Sequence, residues 1–163
     1  MVEQILHKDI SIGKLIDICE VKYKAWPQHT FASHMVWMQD NLIASDIHIL
    51  YYSGESLEAY LNLFDKEIDV DGVKLKVKGF GNLCAKNNGR AYGSLLMKIV
   101  MDLYKDKFLS FCNDEYVNYY KHFGWTFAHK SKLEFPEVDL DSIRVMLYGI
   151  ENYNLITYKG VKF

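Results

Sequence analysis

Hydrophobic positions recur with helical spacing at the start of the chain and alternate through its middle. Ile12, Leu15, Ile16, Cys19 and Tyr23 fall three and four apart, which predicts an amphipathic helix with Ser11 as its cap. Pro27 disfavours α geometry in the residue before it, so this helix is expected to stop near Trp26. Thr30 stands where it caps a second helix, whose apolar stripe is Phe31, Met35, Met38 and Leu42. The period then changes. Ile47 to Tyr52 is a short apolar run, and Ser53-Gly54-Glu55 makes a tight turn. Leu57, Ala59, Leu61 and Leu63 alternate in the manner of a half-buried strand. After a second turn at Asp69 to Gly72, Val73, Leu75 and Val77 alternate with Lys74, Lys76 and Lys78. They open a long strand that runs to about Ala85.

Leu95, Leu96, Ile99, Val100 and Leu103 predict a third helix, and Phe108 to Cys112 a short buried strand. Tyr116, Tyr119, Tyr120 and Phe123 form the stripe of a fourth helix, ended by Gly124. Strands are expected at Thr126 to Leu133 and at Arg144 to Tyr148. The segment from Asn152 to Phe163 reads as a strand or an ordered arm. The predicted order is ααβββαβαββ, with antiparallel hairpins first and then a strand–helix–strand unit, an α/β (α+β) arrangement.

Composition narrows the class. The chain has 163 residues, half of them hydrophobic and a quarter charged, which suits a single globular domain over residues 1–163. The net charge of -2 lacks the basic excess that nucleic-acid binding needs. The three lysines spaced by two share one strand face and read as a solvated sheet face. No stretch reaches the apolar length of a membrane span, and Met1 to Ile10 has no apolar run of the signal-peptide kind. A cytoplasmic protein is expected, with neither a nucleic-acid nor a membrane partner, as a monomer or homodimer. The three cysteines, Cys19, Cys84 and Cys112, show neither metal nor redox spacing and read as free thiols. The six histidines show no ligand spacing, so no metal is expected.

The stretch after Lys78, GFGNLCAKNNGRAYGSLLM, carries the candidate chemistry and ends at Met97. A strand ends and a helix begins around a turn rich in Asn and Gly. Such a junction points free backbone N–H groups into one small volume, where the helix dipole adds about half a positive charge. Arg90 can add charge-assisted hydrogen bonds. The turn alone is either an anion site or an ordinary β–α connection. Gly79 and Gly81 inside the preceding strand point to a bulge or to a ligand lying against the backbone. Downstream come Cys112-Asn113, Tyr120 and Gly124-Trp125.

Together these residues resemble the GNAT superfamily of N-acetyltransferases. The family's phosphate turn reads Arg/Gln-x-x-Gly-x-Gly/Ala, and here the turn reads Asn88-Gly89-Arg90-Ala91-Tyr92-Gly93, followed by Ser94. In the family the next strand is followed by an Asn and then by a Tyr-x-x-x-Gly-Phe/Trp ending. Asn113, Tyr120, Gly124 and Trp125 match that spacing. The segment Leu109 to Trp125 is also similar to aminoglycoside acetyltransferases. Asn88 and Ala91 depart from the family's residues, and a left-handed backbone at Ala91 would cost roughly 1–2 kcal/mol.

The resemblance implies the GNAT acyl-CoA N-acyltransferase fold, a mixed and mostly antiparallel sheet flanked by about four helices. It also implies acetyl-CoA as acyl donor, with Leu83, Cys84, Ala85, Asn88, Gly89, Arg90, Ala91, Tyr92, Gly93, Ser94 and Asn113 as its binding residues. A backbone N–H near Leu83 or Cys84 would meet the developing oxyanion. Tyr120 would protonate the leaving thiolate as the catalytic acid, or else serve as a core aromatic on its helix stripe. Many relatives use a Glu on the long strand as the base, and the corresponding residue here is Asn82, which has no basic group. The base is then a water relay, Glu58 or His34, or is not required. The acceptor pocket is implied at Trp26, His29, Phe31 and Asn82. The implied reaction transfers an acetyl group to a primary amine of a small molecule, aminoglycoside-like acceptors included, by direct attack in a ternary complex. The alternatives are a protein or peptide N-acetyltransferase and a non-catalytic CoA-binding domain.

Overall fold

The computed structural model describes Met1 to Phe163, apart from the side chain of Asn88. The chain forms two compact units, each assembled from two segments. The first contains residues 1–64 and 82–104, and the second residues 65–81 and 105–163. The first unit holds β1 (Val2–Leu6), α1 (Ile12–Ala25), α2 (Phe31–Asn41), β2 (Ile47–Ser53) and α3 (Tyr92–Tyr104). The second holds β5 (Phe108–Cys112), α4 (Val117–His122), β6 (Thr126–Ala128), β7 (Leu133–Glu134), β8 (Arg144–Tyr148) and β9 (Ile156–Thr157). Two long strands, β3 (Ser56–Val70) and β4 (Val73–Ala85), contribute residues to both units.

Hydrogen-bonded neighbours run in the order β1-β2-β3-β4-β5-β8-β6, with β9 against β3 and β7 against β9. The β4–β5 and β7–β9 pairs are parallel, while β1–β2, β2–β3, β5–β8, β6–β8 and β3–β9 are antiparallel. The sheet is therefore mixed and mostly antiparallel, as expected. The β4–β5 register covers Lys78 and Gly79, opposite Phe108 and Leu109, and β4 continues beyond it to Ala85.

Local chemistry sets most element ends. Ser11 Oγ accepts the Lys14 N–H at 3.4 Å, and Thr30 Oγ1 accepts the Ser33 N–H at 3.1 Å. A cap of this kind contributes about 1 kcal/mol. The first helix stops before Pro27, with Trp26 as its C-cap. At the β3–β4 turn, Asp71 and Gly72 both have positive φ, 51° and 85°. The Gly72 N–H is held by Asp69 Oδ1 at 2.7 Å. Two left-handed residues in succession match the twist of a two-residue hairpin. Beyond it, Lys74 pairs with Glu67 at 3.0 Å and Lys78 with Asp65 at 2.5 Å, so two of the three lysines on this face form ion pairs.

Several expectations need correcting. Strand β1 was not foreseen, because Glu3 and Gln4 break its apolar pattern; it lies beside β2 with Val2 opposite Tyr51. Helix α1 buries Ile18, Cys19, Val21 and Lys22, whereas Ile12 is 67 % and Tyr23 45 % exposed. Only the C-terminal half of the helix is covered, which turns the buried arc away from the expected stripe. In α3 the buried residues are Leu96, Met97, Val100 and Met101, and Leu95 and Leu103 face out. In α4, Tyr120 is buried while Tyr116, just before the helix, is exposed. The strand expected over Thr126 to Leu133 is interrupted by a 3-10 turn at Lys130–Lys132, because the His129 ring accepts the Ser131 N–H at 3.3 Å. The terminal arm contains β9, anchored where the Asp71 carboxylate accepts the N–H groups of Asn154 and Leu155.

The core of the second unit packs Ile68 and Val77 with Leu109, Val145, Leu147 and Ile156. Burying each such side chain contributes about 1.5–3 kcal/mol. Beside it, Phe80, Phe108, Trp125 and Tyr148 stack in tilted and edge-on contacts. Gly79 belongs to this packing. The space above it holds the Phe163 ring, and a Cβ added at Gly79 would lie 2.6 Å from Phe163 Cζ. The glycine therefore makes room for an aromatic ring of the protein itself.

The Gly79→Ala variant should displace that ring and cost about 1–3 kcal/mol, as overpacking does. In the Phe163→Ala background the same substitution should cost much less, a non-additivity that urea unfolding of the four proteins measures directly.

Candidate functional site

The first unit contains a chain of buried polar groups centred on β3 and β4. Asn82 sits inside β4 with φ of 57°, a left-handed residue in the middle of a strand. Asn tolerates this conformation better than most residues, so the irregularity expected at the strand glycines falls at Asn82. Its side chain is held at both ends. Lys22 Nζ donates to Asn82 Oδ1 at 3.2 Å, and Asn82 Nδ2 donates to Asn62 Oδ1 at 3.2 Å.

Asn62 Oδ1 also accepts the Tyr60 hydroxyl at 2.6 Å. That commits the Tyr60 proton, so the contact of 2.8 Å between Tyr60 Oη and His48 Nδ1 has the histidine as donor. In neutral His48 the Nε2 atom is then the lone-pair nitrogen and accepts from His7 Nδ1 at 2.9 Å. His48 is held neutral by its surroundings. Burial, reinforced by the positive charges of His7 and Lys22, pushes its pKa down to about 3. Tyr60 and Asn62 are fully buried, and burial holds the Tyr60 phenol well above its ordinary range.

Lys22 links this chain to the aromatic wall expected for an acceptor. It is 2 % exposed, and its ammonium lies 4.3 Å from the centroid of Trp37 and 5.8 Å from that of Trp26. Burial lowers its pKa to about 8, partly offset by Cys84 and Cys19. His34 is also buried, with its ring centroid 6.3 Å from Trp26 and 5.7 Å from His29. Burial, then the charges of Lys22 and His29, lower the His34 pKa, while a backbone hydrogen bond at Trp26 opposes them. Trp26, His29 and Asn82 thus gather around Lys22 and His34. Phe31 lies on the first turn of α2 and is 39 % exposed.

The expected phosphate turn follows β4. Cys84 is buried and its thiol is pushed up to about 12 by burial, so the strand offers its backbone there in place of a thiolate. Lys86 N–H bonds to the Glu58 carbonyl at 2.9 Å, and Asn87 Nδ2 to the Glu58 carboxylate at 3.4 Å, which ties the loop to β3. Glu58 is itself buried, in contrast to a solvent-facing strand position. A 3-10 turn spans Asn88 to Arg90, and Ala91 then adopts the left-handed conformation with φ 54° and ψ 18°. The Asn88 side chain lies outside the described residues. Helix α3 starts at Tyr92, and its first intrahelical bond is Leu95 N–H to Ala91 O at 2.9 Å. The first N–H groups of a helix, here those of Tyr92 and Gly93, precede its ladder of intrahelical bonds. Gly89, Arg90 and Ala91 are exposed. At Gly93 an added Cβ would meet only Ala85 Cβ, at 3.9 Å, so the glycine leaves open space over the turn. Tyr92 leans on β2, with its ring 5.3 Å from Tyr51 and its hydroxyl 3.4 Å from Ser53 Oγ.

The second unit holds the remaining expected residues. Tyr120 is 7 % exposed and packs edge-on against Phe80 and Trp125. Ser110 Oγ lies 2.7 Å from the Phe80 carbonyl and 3.0 Å from Tyr120 Oη. Burial raises the Tyr120 pKa well above that of an ordinary phenol, which keeps its proton in place. Tyr120 is thus both a core aromatic and a phenol fixed in its protonated form. Asn113 is exposed at the end of β5 and precedes a short 3-10 turn. Cys112 is pushed up to about 11 by burial, and Cys19 is raised for the same reason. No thiol is poised as a nucleophile. Among the described residues, no group of His, Cys, Asp and Glu is arranged to hold a metal ion.

Lys22 escaped the sequence reading, although a signal was present. It lies three residues after Cys19 and four after Ile18, on the buried face of α1. A lysine on an apolar stripe marks a buried charge. The chain from His48 through Tyr60 to Asn62 had no such signal, because His, Tyr and Asn pass as ordinary strand residues.

Replacing Ala91 by Gly should relieve the left-handed strain. The gain should be about 1 kcal/mol after the entropy cost of Gly, seen as a Tm rise of about 2–4 °C. His48 gives a pH prediction. Its folded pKa is depressed, so unfolding takes up a proton between pH 6.5 and about 3, and stability falls as pH falls through that window. His48→Gln should flatten this acid limb in urea melts at stepped pH.

Compared by sequence, the chain matches no protein-family model and no curated protein. Compared by structure, it resembles an acyl-CoA N-acyltransferase from Pseudomonas aeruginosa, with a TM-score of 0.62 and 15 % identity over 90 % of this chain and 97 % of that one. Escherichia coli ElaA aligns with a TM-score of 0.61 and 16 % identity, again over 90 % and 97 % of the two chains. The Bacillus subtilis N-acetyltransferase YlbP, solved in complex with coenzyme A, aligns with a TM-score of 0.57 and 15 % identity over 91 % and 95 %. Four helices, the mixed and mostly antiparallel sheet and these neighbours agree: the chain has the GNAT-type acyl-CoA N-acyltransferase fold.

Proposed function

We propose that the protein is an acetyl-CoA-dependent N-acetyltransferase that acts on a primary amine of a small molecule. The observation that carries this reading is the turn before α3. The left-handed Ala91 and the side-chain-free Gly93 leave space over the start of α3, with exposed Arg90 beside it. Such a cradle suits the pyrophosphate of coenzyme A. The structural likeness to the coenzyme A complex of YlbP supports the same ligand. Acetyl-CoA supplies the acetyl group as a thioester.

The residues of this chain then have the following roles. Asn88, Gly89, Arg90, Ala91, Tyr92, Gly93 and Ser94 hold the pyrophosphate, and Asn113 contributes to the donor site. The backbone from Leu83 to Ala85, beyond the Asn82 irregularity, offers an N–H to the thioester oxygen as charge develops there. One such donor is typically worth ~10²–10³ in rate. The acceptor amine attacks directly in the ternary complex, forming the C–N bond as the C–S bond breaks. Tyr120, kept protonated by burial, supplies a proton to the departing sulfur, and the proton shed by the attacking nitrogen leaves through water, which reprotonates Tyr120. Trp26, His29, Phe31 and Asn82 belong to the acceptor side.

Calorimetric titration with acetyl-CoA should give micromolar or tighter binding. The absence of binding at millimolar ligand would remove the donor site and this reading with it. Tyr120→Phe should leave that affinity unchanged and lower kcat at least about tenfold, the lower range for a positioned acid. An unchanged kcat would leave Tyr120 a packing residue alone.

A further inference from the structure

The buried cation on α1 is incomplete as folded. An ammonium has three donor hydrogens. Lys22 Nζ has one hydrogen-bond acceptor, Asn82 Oδ1 at 3.2 Å, and its other close neighbours are the faces of Trp37 and Trp26. Among the described residues, no carboxylate lies within salt-bridge distance of it. Burying a charge without a counter-ion is costly, and proteins rarely retain such a charge unless something pairs with it. A second group in the same neighbourhood is also unsatisfied. His34 is 5 % exposed, and its Nε2 has no hydrogen-bond partner. Burial, and after it the Lys22 charge, lower the His34 pKa, which favours the neutral ring beside the cation.

We propose that Lys22 and His34 form the recognition site for a carboxylate-bearing acceptor, so that the substrates are amino acids or amines of that chemical class. This rests on the acetyltransferase reading above and names its substrate class. The Lys22 ammonium pairs with the acceptor carboxylate and gains the charge-assisted hydrogen bonds that it lacks. His34 Nε2, which lacks a partner, accepts a hydrogen bond from the acceptor's amino group. Trp26 and Trp37 supply apolar walls for the rest of the molecule. A single ammonium beside a neutral imidazole balances one negative charge, which matches a carboxylate better than a doubly charged phosphate. Lys22 is only 2 % exposed, so the acceptor reaches it by displacing a neighbouring ring. Binding is therefore expected to change the fluorescence of Trp26 and Trp37.

The test compares acetyl transfer to the standard L-amino acids, to their carboxamides and to the matching decarboxylated amines, with wild type and Lys22→Gln. The best amino acid should exceed its own amide and amine in kcat/KM by roughly tenfold to a hundredfold, the worth of one charged hydrogen bond. Lys22→Gln should lower kcat/KM for the amino acid at least about tenfold more than for its amide and its amine, so that the preference is lost. In Lys22→Arg, which keeps the charge, part of the preference should return. The best amino acid should also alter tryptophan emission in wild type more than its amide does. The proposal is overturned if the amide or amine is used as well as the amino acid, or if Lys22→Gln lowers all three equally while acetyl-CoA still binds. It is overturned too if wild type binds acetyl-CoA and acetylates no member of the panel. A wild type that fails to bind acetyl-CoA instead overturns the function proposed above.

Discussion

The hydrogen bond from Lys22 to Asn82 is the contact on which the rest of the first unit depends. It fastens α1 to β4 at the one residue where the strand leaves extended geometry. A left-handed non-glycine residue stores about 1–3 kcal/mol of strain and persists only where its surroundings over-determine it. Here the surroundings do so from two sides, because Asn82 is held by Lys22 and by Asn62. Asn62 is held in turn by Tyr60, and Tyr60 by His48. The series links α1 through β4 to β3 and β2 by side-chain hydrogen bonds. The strand beyond the irregularity leads directly into the turn from Asn88 to Gly93.

What was legible in the sequence divides along this line. Local signals with one physical cause read correctly. Ser11 and Thr30 cap their helices, Pro27 ends α1, and Asp69 to Gly72 makes the hairpin turn. The left-handed backbone at Ala91, suspected from its place in the turn, is present. Signals that depend on what packs above a residue read poorly. The spacing around Ile12 and Tyr23 marked a helix but misplaced its buried face, since that face depends on which part of α1 is covered. Gly79 reads as a bulge or as space for a ligand, and the Phe163 ring fills that space. The acceptor side was legible as aromatic residues near Trp26. Its charge was missed, although Lys22 stands with Ile18 and Cys19 on the buried face of α1.

The two candidate regions of the first unit carry strain of different kinds. At Asn82 the unusual backbone is compensated by hydrogen bonds of its own side chain. At Ala91 a methyl group offers no such compensation, and the residue is exposed. An unsupported left-handed alanine is a cost of folding in exchange for open space at the start of α3. Evolution tolerates that pattern at binding sites more readily than in cores.

The three cysteines have a practical consequence for anyone handling the molecule. Each is held as a neutral thiol by its surroundings, with Cys84 and Cys112 pushed up to about 12 and 11. A thiol reagent reacts with the thiolate, so the native protein should take up label very slowly at neutral pH. Each local opening that exposes Cys19 or Cys84 then registers as a covalent mark. The protein therefore carries its own recorder of breathing motions in α1 and β4, readable by mass without any engineered probe.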